Sequence, residues 1–236
     1  MFRINAYILN KDLKKVYKIQ NTILDGYMSD VTKYAKNTDK EKIRKCFNSI
    51  PKHLLKDYKK FRYSLVEHNG TRTKFENSID WLIDAGVVNI CYNLSKLNKP
   101  LEAYKVEDEF KIYMRDTGLL VAMLGENTAK EILLGDIGAY KGAIYENIIA
   151  DIFTKNGIKL FYFERKSRLE IDFVMICKEV LTCIEVKSAD NTKSKSLKTV
   201  IENHNVQSGI KLSTKNLGSS ENKVSSIPIY MAMFIR

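Results

Sequence analysis

Nowhere in the 236 residues does an apolar run reach the roughly 18 residues that a membrane-spanning helix needs, so no span is expected. The N-terminal stretch MFRINAYILNKDLKK turns polar too early for a signal peptide. Cysteine is scarce: Cys46, Cys91, Cys177 and Cys183 stand far apart, with no CxxC pair and no histidine at zinc spacing. They read as reduced, mostly buried thiols of a cytoplasmic protein. His53, His68 and His204 have no serine or cysteine beside them in a nucleophile-like setting, so a hydrolase triad is unsupported. No GxxxxGK(S/T) loop occurs between Met1 and Arg236, so nothing supplies the amide cradle and lysine of an ATP site, and this chain is not expected to hydrolyse ATP.

What is present is an apolar content of 44%, enough for a real core in one large or two small domains. The formal charge is +11, split as +7 over residues 1–134 and +4 over residues 135–236. Such a surplus suits a polyanionic partner, because neutralising phosphates releases counterions; nucleic acid is the expected partner. A lysine-favouring genome would produce the same surplus without one.

Along the chain, Asn10 to Ala35 is expected as a helix capped by Asn10, its apolar stripe running from Leu13 to Tyr34 and interrupted at Gln20. A second helix starts near Asp39 and buries Ile43, Cys46, Phe47 and Ile50, and Pro51 suits the first turn of another. In TRTKFENSIDWLIDAG, Thr73 and Glu76 form a capping box, Phe75, Ile79, Leu82 and Ile83 an apolar face, and Gly86 the stop. A strand from Val87 to Leu94 and another over Lys111–Met114 then read as a two-stranded wing. Helices followed by a wing are the plan of a winged-helix domain, in which Arg72 and Lys74 reach phosphates from the start of the third helix. Such modules equally often only pack against a neighbour. Asp116 is a natural helix cap before Thr117-Gly118-Leu119-Leu120.

The most informative stretch is Leu169 to Ser188, LEIDFVMICKEVLTCIEVKS, a hairpin of two apolar runs around a turn at Cys177-Lys178-Glu179. Asp172 interrupts the first run, Glu185 and Lys187 the second, and the latter two share a face about 7 Å apart along the strand. In one reading the three lie on a solvated face and pair across the strands. In the other, Asp172 and Glu185 are hard oxygen ligands for Mg²⁺ or Mn²⁺, and Lys187 handles the attacking water or the transition-state charge. Glu170 shares the Asp172 face as a spare ligand or, more simply, a solvated edge carboxylate. Before the hairpin come a helix over Lys141–Lys155 carrying Glu146 and a strand over Lys159–Phe163. After it come a helix over 193–203, a strand at Ile210–Leu212 and a closing strand over Ile227–Phe234.

That order, with Asp172, then Glu185-Val186-Lys187, then Glu146 on the preceding helix, resembles the PD-(D/E)XK or restriction-endonuclease-like superfamily, although Ile171 stands where the motif has proline. The resemblance implies an αβββαβ nuclease-like domain over residues 135–236 which, after the helical, winged-helix-like domain read over residues 1–134, makes an α/β (α+β) chain. It also implies catalytic Asp172, Glu185, Lys187 and Glu146, and a Mg²⁺ or Mn²⁺ ion held by Asp172, Glu185 and the Val186 carbonyl. WLIDAGVV, KIYMRDTGLL, Gly142, Glu146, Asp172 and EVKS further resemble the C-terminal portion of a prokaryotic family of AAA-type ATPases whose ATPase domain lies upstream. The chain is therefore expected to be a C-terminal fragment, a piece expressed by itself, or the product of a shortened gene. Two functions follow as expectations: metal-dependent phosphodiester hydrolysis, or a catalytically silent nucleic-acid- or protein-binding module that regulates the ATPase.

Overall fold

The computed structural model describes residues 12–56, 59–136, 138–165, 169–188, 194–204, 206–221 and 223–236. The fold is mixed α/β, a helical N-terminal region followed by a sheet. It forms two compact units, one from residues 1–57, 62–88 and 114–140, the other from residues 58–61, 89–113 and 141–236.

In the first unit, α1 (Leu13–Tyr34) is capped by Asp12, whose Oδ1 accepts from the Lys15 N–H at 3.2 Å. The expected cap, Asn10, lies outside the described residues. Gln20, the break in the stripe, is itself buried with Leu24 and Val31. Helix α2 (Asn37–Leu54) buries Ile43, Cys46, Phe47 and Ile50 and runs straight through Pro51. A proline this close to the C-terminus removes one hydrogen bond without starting a new helix. The single turn α3 (Tyr63–Val66) precedes α4 (Arg72–Asp84), which buries Phe75, Ile79 and Leu82. Its N-cap is Thr71, so Thr73 is inside the helix and the expected capping box is not formed; Glu76 pairs with Arg72 instead. Gly86 stops the chain at φ +66°, where an added Cβ would meet Arg115 Nη1 at 2.9 Å. Asp116 caps α5 (Thr117–Leu124) through Oδ1 and the Leu119 N–H at 3.0 Å, and α6 (Glu126–Leu133) follows.

The second unit is built on eight strands: β1 (Val88–Leu94), β2 (Lys105–Met114), β3 (Leu160–Arg165), β4 (Leu169–Cys177), β5 (Val180–Val186), β6 (Ser208–Ser213), β7 (Gly218–Glu221) and β8 (Val224–Pro228). They lie in the order β2-β1-β3-β4-β5-β6-β8-β7. The strands expected as a wing are thus the first two of this sheet. β1 pairs in parallel with β3 through Cys91↔Leu160, because a run as apolar as VNICYNL is better covered inside a sheet than left with an open edge. The αβββαβ order is present as α7 (Lys141–Lys155), β3, β4, β5, α8 (Lys195–Asn203) and β6.

β4 and β5 form the expected hairpin, closed by Cys177↔Val180 around Lys178 and Glu179, which both take positive φ (47° and 65°). That is the twist a two-residue hairpin turn requires. The expected strand over Ile227–Phe234 ends instead at Pro228, which has no N–H to continue the ladder, and Ile229–Phe234 is a 3-10 helix. All four cysteines are free, with Cys46, Cys91 and Cys183 buried. Among the described residues no helix is long and apolar enough to cross a membrane.

Candidate active site

The site begins with an irregularity in β4. Between the pairs Phe161↔Val174 and Phe163↔Ile171, one residue of β3, Tyr162, stands against two of β4, Asp172 and Phe173. Such a bulge re-aims side chains. Ile171 and Val174 both pack with Leu197 and Val200 of α8, so the bulge turns Asp172 and Phe173 away from that side. Phe173 there meets Phe153 of α7 and Tyr113 of β2, with ring centroids at 5.6 and 5.8 Å.

β5 runs in regular register from Val180 to Ile184. Its alternation keeps Glu185, and Lys187 after it, on the side of Leu181 and Cys183, which pack with α8. Asp172 and Glu185 therefore turn to different sides of the sheet and meet only through main chain. The Val186 N–H donates to Asp172 Oδ2 at 2.7 Å, at the end of the ladder where a strand carbonyl would otherwise accept it. Glu185 pairs with Lys187 through Oε1 at 2.5 Å, while its Oε2 is buried without a hydrogen-bond partner among the described residues.

On the other side lies a cluster that the spacing of motifs did not reveal. Glu146, 4% exposed, projects from α7. It pairs with Lys59 and accepts from the Tyr113 hydroxyl at 3.2 Å. Lys111 of β2, 0% exposed, pairs with Glu170 at 2.5 Å and lies 4.7 Å from the centre of the Tyr162 ring. Glu170, expected as a spare ligand or a solvated carboxylate, is thus the counter-ion of a buried lysine. A lone lysine inside the apolar run FKIYM carries the same signal that singled out Asp172; Lys59 has none in its local sequence.

The electrostatics follow from this packing. Burial, and then the negative charge of Glu146, push the Asp172 carboxyl up to about 7, against the pull of Lys111 and Lys59. Burial alone would raise Glu146 too, but the two ammonium groups, with hydrogen bonds from Lys59 and Tyr113, hold it below the ordinary carboxylate range. Lys59 and Lys111 are desolvated, yet the surrounding carboxylates raise both above the usual lysine value. The cluster balances itself: two ammonium ions face two carboxylates, and Asp172 holds its proton well above the pH at which an ordinary aspartate loses it.

A divalent ion does not fit this arrangement. Asp172 already spends one oxygen on Val186, Glu146 and Glu170 have lysines as counter-ions, and Glu185 faces the other side. Among the described residues no three His, Cys, Asp or Glu side chains gather closely enough to hold a metal ion. Arg72 and Lys74, expected to reach phosphates from α4, are ion-paired with Glu76 and Glu67 respectively.

The chain matches no curated protein and no solved structure. Residues 141–231 match the model of a domain of unknown function, DUF4143, a type commonly associated with AAA ATPases. Residues 4–130, more than half of the chain, match the model of another domain of unknown function, DUF8612, and the chain belongs to that family.

Proposed function

We propose that this protein is a catalytically silent binding module, a nuclease-like core kept as a platform that docks nucleic acid beside an AAA-type ATPase domain. One observation carries this reading. The acids around the bulge are compensated from within the protein, by Lys59 on Glu146, Lys111 on Glu170 and the Val186 N–H on Asp172, which leaves no deficit of positive charge for a metal to fill. The surplus of +11 supplies affinity for a polyanion. Fluorescence anisotropy with labelled DNA and RNA tests it. Binding that falls steeply with salt, is unchanged by EDTA and leaves the strand intact in Mn²⁺ is the expected result. Failure to bind at low salt refutes it.

A different observation favours metal-dependent phosphodiester hydrolysis: the buried, unpartnered Oε2 of Glu185 is an acceptor in want of a cation or a donor. That reading requires Asp172 and Glu185 to come onto one side of the sheet. Cleavage of DNA or RNA in Mn²⁺ that disappears in Lys187→Ala would establish it in place of the first.

A further inference from the structure

The sheet unit contains two clefts that meet at Arg165, the last residue of β3, and their electrostatics differ. One, of about 400 Å³, is lined by Lys60 and Arg165 but also by Glu109 and Glu164, and Lys60 is ion-paired with Glu109 at 2.7 Å. Its charge is spent. The other, of about 510 Å³, is lined by Lys96, Lys99, Arg165, His204 and Gln207, with Phe163 among its apolar residues and, among the described residues, no acidic side chain.

The cations of this second cleft are oriented without being neutralised. Lys99 donates to the main-chain oxygen of Glu179, and Arg165 donates to that of Ser95 while its guanidinium lies 5.7 Å from the centre of the Phe163 ring. Among the described residues, none of Lys96, Lys99 and Arg165 has a carboxylate within ion-pair distance. His204, exposed, stands edge-on to Phe163, with ring centroids 5.5 Å apart. Two lysines without a carboxylate partner among the described residues, Arg165, whose charge is shared with Glu109 of the first cleft, the side-chain amides of Asn98 and Gln207, and an aromatic edge in one concave space are the complement of a phosphate joined to a planar, polar ring. The volume falls within the roughly 300–1,000 Å³ of small-ligand sites, room for one nucleotide but not for a duplex.

We infer that this cleft binds a nucleotide unit of a single strand, its phosphate against Lys96, Lys99 and Arg165 and its base against His204. The inference rests on the nucleic-acid reading for its polymer form; the same chemistry also recognises a free mononucleotide.

The experiment uses the full chain. A labelled single-stranded oligonucleotide is titrated by anisotropy against the native protein and Lys96→Glu/Lys99→Glu, whose two side chains are exposed. A control variant, Lys130→Glu/Lys155→Glu, changes exposed lysines that do not line the cleft. The cleft variant is expected to lose at least about tenfold in affinity and to flatten the salt dependence by about one unit per cation, with an unchanged thermal midpoint; the control should lose less than about twofold. Equal losses in both variants, or none in either, overturn the cleft while leaving general nucleic-acid binding in place. Inorganic phosphate and a mononucleotide serve as competitors. Displacement of the strand by mononucleotide supports the cleft as a one-nucleotide site. Mononucleotide binding without strand binding keeps the cleft and defeats the polymer reading, and binding of neither overturns the inference.

Discussion

Replacing Asp172 by asparagine should make the protein more stable at pH 8 and no more stable at pH 4. The native carboxyl is pushed up to about 7, whereas in the unfolded chain it titrates near the model value of 3.8. Between those values the folded state binds the extra proton, so stability falls as pH rises from about 4 to about 7 and levels off above it. A shift of about three units acting alone corresponds to a ceiling of roughly 4 kcal/mol. Asp172 is only partly buried and Glu146 responds to its charge, so screening and coupling reduce this to about 1–2 kcal/mol. Asparagine keeps an oxygen to accept the Val186 N–H and has no charge to lose. For a chain of this length the gain at pH 8 corresponds to a thermal midpoint higher by about 2–8 °C, vanishing toward pH 4. Thermal unfolding followed by circular dichroism across pH 4–8 reads it. An Asp172→Asn variant less stable than the native protein at pH 8 would mean that a cation stabilises the ionised carboxylate in the fold more than burial and Glu146 penalise it, and the account of a self-compensated cluster would fall with it.

Other consequences concern packing and local geometry. Lys111→Met should destabilise by about 3 kcal/mol, measured by urea denaturation, because Glu170, Glu146 and Asp172 lose a buried counter-ion; Glu170→Gln in the same background should recover most of the loss. A Lys111→Met protein as stable as the native one would show that the pair contributes nothing. Lys178→Asn combined with Glu179→Gly places residues that prefer positive φ at the hairpin turn and should add about 1 kcal/mol, seen as a shift of the urea midpoint at constant slope. Asp116→Ala removes the cap on the Leu119 N–H and should cost about 1 kcal/mol in the same assay; Asp116→Ser should restore most of it.

What the chain determined by itself is what depends on near neighbours. Periodicity located α1, α2, α4 and α7, Asp116 and Gly86 marked helix boundaries through their own chemistry, and the alternation of LEIDFVMIC and VLTCIEV marked the hairpin. Each of these is decided within a few residues, where backbone hydrogen bonding and side-chain direction are local. The tertiary structure decided the rest. Whether β1 and β2 stand apart as a wing or enter the sheet depends on β3, whose Leu160 pairs with Cys91 from 69 residues away in the chain. The direction of Asp172 depends on a bulge that exists only against Tyr162. The counter-ions of Glu146 and Glu170 are lysines 87 and 59 residues distant in sequence. A spacing such as D…ExK describes which side chains are available, but the field each carboxylate feels is set by whichever charges folding brings within a few ångströms. Here those charges are ammonium groups of the same chain.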